Sequence, residues 1–176
     1  MPTYAHWFAP ALGLAYALVG RADEGIALLE QAIAEGVAMH LYAQHSLTVA
    51  YLGEAFLLAG RERDALERAT EALGLSRTRN ERGYQAYALR LLGDIHARAE
   101  PPDERAEASY REALGLADEL GMRPLAAHCH LGLGTLYQKV GRDAEAQVEL
   151  ATAAELYRAM AMPFWLEKAE AALGEA

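Results

Sequence analysis

His128, Cys129 and His130 stand in succession, and side chains of these types bind divalent metals. Successive residues of a helix point about 100° apart, so His128 and His130 diverge from any single ion. His40 and His45, five apart, also fall off one face, and no third ligand stands near them. Carboxylates occur in pairs, such as Asp23 with Glu24 or Glu54 with Glu62, and paired carboxyls are the material of acid–base catalysis. Most of them stand at helix starts, where they satisfy free N–H groups and the helix dipole. Ser46, Ser76 and Ser109 lack the glycine-flanked turn that exposes a nucleophile, and no glycine loop followed by Lys is present to cradle phosphate. The residues point to no enzyme, no metal and no cofactor.

Arg77, Arg79, Arg82 and Arg90 form one basic cluster in a chain of net charge -9. The cluster straddles a turn through Asn80 and Gly83 and reads as a solvated turn, because a chain this acidic repels a phosphate backbone. Nucleic acid is therefore not an expected partner. No stretch approaches the length of a membrane helix, and the most apolar one, residues 49–59, contains Glu54. No basic region precedes an apolar core at the amino terminus, so no secretory signal is expected, and the lone Cys129 fits a reducing cytoplasm.

The elements that must position these residues follow from a spacing. Leu-Gly pairs recur at Gly13, Gly53, Gly93, Gly134 and Gly174, at intervals of 40, 40, 41 and 40 residues. A bulky position follows at Tyr16, Phe56, His96 and Tyr137, then a small one at Gly25, Ala65, Ala106 and Ala146. Leu29, Ala69, Tyr110 and Leu150 come next, then Ala32, Ala72, Ala113 and Ala153. Each unit reads as two helices crossing where the small residues lie. First helices are expected over 6–19, 40–59, 82–99 and 124–140, and second helices over 22–35, 62–76, 102–120 and 143–160. Gly20-Arg21, Gly60-Arg61 and Gly141-Arg142 end the first helices, where glycine takes a left-handed conformation without steric cost. The third unit has Glu100, Pro101, Pro102 and Asp103 there instead. A last helix after Pro163, with Phe164, Trp165, Leu166 and Leu173, is expected to cover the final apolar face.

These residues resemble the tetratricopeptide repeat family, whose pattern runs Trp, Leu-Gly, Tyr, an Ala before a large apolar residue, Ala and a closing Pro. Ala9, Val49, Leu89 and His130 stand at the Trp position, so His130 reads as a core histidine, and Val37, Arg77, Asp118 and Arg158 stand at the Pro position. The resemblance implies an all-α fold, a right-handed α-solenoid of four helix pairs in a single domain, with repeats at 1–37, 38–79, 80–121 and 122–161 and a capping helix at 163–175. More loosely, residues from Arg105 onward resemble the carboxy-terminal repeats of large bacterial signalling proteins that join an ATPase to a nucleotide cyclase or a DNA-binding regulator.

In that family the first helices line a concave surface. The matching positions here are Trp7, Leu14 and Leu18; Leu47, Tyr51, Glu54 and Leu58; Tyr87, Arg90, Asp94 and Arg98; and His128, Thr135, Gln138 and Lys139. Arg90 and Asp94 are expected to be freer than the apolar residues beside them. The Lys and Asn that clamp chaperone tails in some members are replaced by Pro10, Leu14, Ala50 and Glu54, among others, which argues against that role. The resemblance implies a protein–protein interaction or scaffolding module, the regulatory segment of a larger signalling protein, with a protein or peptide as partner. A sensor binding a peptide or small molecule in an enclosed pocket near Tyr51, Tyr87 and Arg90 is one alternative. Self-association through Trp7 and Phe8 or through the aromatic cap, giving a homo-oligomer, is the other.

Overall fold

The computed structural model describes the backbone of residues 3–102 and 104–174, with side chains described from Phe8 onward. The described residues are all-α. Nine helices follow in order: α1 (Thr3–Leu18), α2 (Ala22–Ala38), α3 (His45–Leu58), α4 (Glu62–Thr78), α5 (Arg82–His96), α6 (Arg105–Glu119), α7 (Arg123–Lys139), α8 (Asp143–Ala159) and α9 (Pro163–Gly174). They fall into two compact units, Met1–Leu91 and Leu92–Ala176, that divide within α5. In the first unit α1 packs on α2, both pack on α3, and α3 packs on α4. In the second, α6 packs on α7, α7 on α8 and α8 on α9.

Small residues set the crossings. Ala65, Ala106 and Ala146 are fully buried, as are Ala113 and Ala153, with Ala72 nearly so. A methyl group at Gly134 would meet Leu150 Cγ at 2.5 Å, and one at Gly13 would meet Leu29 Cγ at 2.7 Å. At Gly25 it would overlap the backbone oxygen of Gly13, so α1 and α2 touch main chain to main chain. Close approach of this kind brings many dispersion contacts into reach of a thin layer of alanine.

The helix ends share one geometry. Gly20, Gly60 and Gly141 are left-handed, and the next residue donates its N–H to the carbonyl five residues back, Arg21 to Tyr16, Arg61 to Phe56 and Arg142 to Tyr137, each at 2.8 Å. Three second helices close the same way through residues other than glycine: His40 (φ 56°), Asn80 (φ 55°) and Ala161 (φ 52°).

Five expected boundaries move by three residues or more, among them the start of α1, at Thr3 and not at residue 6, and the end of α2, at Ala38 and not at residue 35. α3 begins at His45 and not at residue 40, because His40 is spent closing α2 and Gln44 is itself left-handed at φ 63°. α5 ends at His96 and not at residue 99, and α6 begins at Arg105 and not at residue 102. Pro101 and Pro102 push the residues before them out of helical conformation, which lengthens this connection.

Candidate functional site

The first unit holds a polar cluster between α3 and α5. Tyr51 and Glu54 lie one turn apart on α3, and Tyr87 and Arg90 one turn apart on α5, so each pair shares a helix face. Glu54 is its hub. The Tyr87 hydroxyl donates to Glu54 Oε2, and Arg90 donates to the same oxygen at 2.7 Å. Arg90 also lies 4.8 Å from the Tyr87 ring centroid. Tyr51 meets Tyr87 edge to face, with centroids 5.3 Å apart at 73°. Glu54 and Arg90 are buried at 8% and 6% exposure, whereas Tyr51, Tyr84 and Tyr87 are half-buried.

Electrostatics follow from this burial. Desolvation pushes the Tyr87 phenol well above its ordinary value, helped by the Glu54 carboxylate and opposed by Arg90. Tyr51 rises for the same reasons, with Tyr84 contributing. Tyr84 rises by burial and the nearby Glu81. The phenols therefore stay neutral, and the cluster offers aromatic rings and hydroxyl groups set around an internally compensated ion pair. Arg90, expected to be freer than its apolar neighbours, is instead one of the most buried polar residues. An unmatched charge at that depth costs far more than a paired one, and Glu54 supplies the match.

The other expected residues divide by unit. Leu14 and Leu47 are half-buried, and the Trp7 side chain lies outside the described residues. In the second unit Asp94 accepts the Tyr110 hydroxyl at 2.7 Å, and Thr135 donates back to the Leu131 carbonyl of its own helix at 2.9 Å. His128 and Gln138 both serve α9. His128 Nδ1 lies 2.6 Å from the Tyr157 hydroxyl, and its ring packs against Trp165 with centroids 4.5 Å apart. Gln138 donates to the Ala172 carbonyl at 2.8 Å, satisfying an acceptor in the last turn of α9. His130 points elsewhere and pairs with Glu149 at 2.6 Å, with Cys129 fully buried between them in sequence. No group of three His, Cys, Asp or Glu that could hold a metal occurs among the described residues. Nor, among them, is any helix long and apolar enough to cross a membrane.

Two features escaped the sequence reading. Tyr84, one turn before Tyr87 on α5, completes the aromatic group of the first unit, and the tyrosine spacing i, i+3 was the available signal. A second network joins Glu107, Arg111, Tyr137 and Arg142. Glu107 accepts from Tyr137 at 2.8 Å, from Arg111 at 3.0 Å and from Arg142 at 2.8 Å. Burial pushes the Glu107 carboxyl up, but these donors outweigh it and hold it below its ordinary range. Glu107 and Arg111 are a local i, i+4 pair, but Tyr137 and Arg142 join Glu107 from thirty or more residues downstream, and no local pattern announces that.

Three open recesses have walls that include none of Tyr51, Tyr87 and Arg90. One of about 300 Å³ lies by Ile33, Phe56 and Arg61, one of about 310 Å³ by Tyr157, Met162 and Leu166, and one of about 230 Å³ by Glu107, Tyr137 and Arg142. Arg61 and Arg142, which edge two of them, are committed to Asp64 and to Glu107 and Glu145. No protein-family model matches this chain, and no curated protein resembles it at a significant level.

Proposed function

We propose that this chain is a tetratricopeptide-like protein–protein interaction module, the regulatory or scaffolding segment of a larger bacterial signalling protein acting in the cytoplasm, with no chemistry of its own. The observation that carries the reading is the tyrosine group of the first unit. Tyr51 and Tyr87 are held edge to face, and the Tyr87 hydroxyl is anchored on a carboxylate that Arg90 fixes in turn. Half-exposed tyrosines immobilised before binding present large rigid contact area at little entropic cost, which is the character of interface hot spots. The partner this favours is a peptide or protein segment that lays an apolar or aromatic side chain between the rings and hydrogen-bonds to the hydroxyls of Tyr51 and Tyr84.

The test is selection of peptides from a displayed random library by the purified chain, followed by titration of a synthetic copy of the enriched sequence. Tyr51→Ala and Tyr84→Ala should each weaken that peptide by about tenfold or more, whereas Glu67→Ala on the exposed face of α4 should leave it unchanged. Enrichment that survives both tyrosine changes would refute this surface as the binding site.

A further inference from the structure

Helix α1 carries an apolar stripe that no described residue covers. Phe8, Ala11, Leu12 and Ala15 follow the i, i+3, i+4, i+7 pattern of one helix face, and all four are exposed, Phe8 at 70% and Leu12 at 47%. The forty-residue spacing shows what this face is. The residues matching Leu12 are Leu52, Leu92, Leu133 and Leu173, of which the first three are exposed by 7% or less and the last packs in the core beneath α9. Those matching Ala15 are Ala55, Ile95 and Leu136, again buried. The face that α3, α7 and α9 bury against the helices before them is, on α1, open to solvent.

The residue at the first position decides what can cover it. Thr48, Ala88, Cys129 and Ala169 match Phe8 and are all buried, the last three completely. Each is small enough for a close helix crossing. Phe8 is not, so α1 cannot accept a neighbour at the spacing used elsewhere in the chain. The stripe does fit itself. In an antiparallel pair related by a two-fold axis passing between Ala11 and Leu12, Phe8 of each helix stands opposite Ala15 of the other, and Leu12 opposite Ala11. Large meets small at every position, which is the condition for interdigitated packing. The face itself carries no Asp, Glu, Lys or Arg, so the contact buries no charge, and the repulsion between two molecules of net charge -9 keeps the association weak.

We propose that a second copy of this chain covers the α1 stripe, in an antiparallel two-fold contact of α1 with α1. The contact stands apart from the tyrosine group and does not depend on that reading. A single helix pair buries less than a standard interface, so association belongs in the micromolar range.

Sedimentation equilibrium of the whole chain tests this. Between low micromolar and about 100 µM the mass should rise to twice that of one chain. Phe8→Glu and Leu12→Glu should each raise the dissociation constant by about 100-fold or more while helicity stays unchanged, since both side chains are already exposed in one copy. Ala11→Cys, beside the axis, should yield a disulfide-linked dimer on mild oxidation, because Cys129 is buried and does not compete. Phe164→Glu, at an exposed aromatic on α9, should leave the mass unchanged. A single-chain mass throughout would overturn the proposal. A dimer that survives both α1 changes, or is lost with Phe164→Glu, would overturn it as well.

Discussion

The guanidinium of Arg142 lies over the ring of Tyr137, with its central carbon 4.0 Å from the ring centroid. The same stack joins Arg21 to Tyr16 and Arg61 to Phe56, each at 4.3 Å. In every case the arginine follows a left-handed glycine, donates its backbone N–H to the residue it covers, and pairs with an acid three residues on: Glu24, Asp64 or Glu145. Glycine closes the helix, and the arginine then seals the aromatic end of the core from water.

Removing such a seal should be measurable. Arg61→Ala loses the stack over Phe56 together with the ion pair to Asp64, and should cost about 0.5–1 kcal/mol in chemical denaturation. Arg142→Ala should lower the midpoint further, because Glu107 loses a donor too. Lysine at either place should restore the charge without the planar contact, and so recover only part of the loss. Midpoints equal to that of the unaltered chain would show the stacks to be energetically idle.

Two glycine-to-alanine changes should have opposite signs. Gly25→Ala drives a methyl group into the Gly13 carbonyl, where only backbone can yield, and should destabilise by about 1–3 kcal/mol. Gly74 lies within α4 with nothing near enough to meet a methyl group, so Gly74→Ala should stabilise by about 0.5–1 kcal/mol through reduced freedom of the unfolded chain. Thermal melts of both variants decide it. Destabilisation by Gly74→Ala would contradict the packing described around α4.

The tyrosine cluster should make the fold sensitive to alkali. Tyr87, Tyr51 and Tyr84 all hold their protons more tightly when folded than the ordinary value of 10.0 allows. Their contribution is complete below that pH and is lost above it, as the unfolded phenols ionise first. Denaturation midpoints should therefore decline beyond about pH 10, and Tyr87→Phe should flatten the decline while costing about 1–2 kcal/mol at neutral pH for its lost hydrogen bond. Glu54→Ala removes the buried carboxylate that Arg90 and Tyr87 share and should cost about 3–5 kcal/mol at pH 7. An alkaline profile indifferent to Tyr87→Phe would place the titrating group elsewhere.

Spacing alone located every helix, since a small residue recurring each forty positions has no simpler reading than paired helices that cross. The family resemblance then placed Tyr51, Glu54, Tyr87 and Arg90 on one side of successive first helices. What it could not reveal was commitment. Whether Arg90 faces solvent or Glu54 depends on how one helix rotates against another by a fraction of a turn, and nothing local records that angle. His128 and Gln138 were obscured for the same reason, because their partners lie about thirty residues downstream on α8 and α9. The start of α3 was missed because histidine is a poor signal for a left-handed helix end, where glycine or asparagine would have been recognised.

The left-handed ends at His40, Asn80 and Ala161 carry a cost that Gly20, Gly60 and Gly141 escape, on the order of 1 kcal/mol for each side chain held in that conformation. Tension is thus distributed unevenly along the backbone. The hinges inside the first, second and fourth helix pairs are relaxed, while those that follow α2, α4 and α8 are loaded like weak springs. Amide protons beside the loaded hinges should exchange with solvent sooner than those beside the relaxed ones, and the chain should come apart by shedding whole helix pairs before any pair splits.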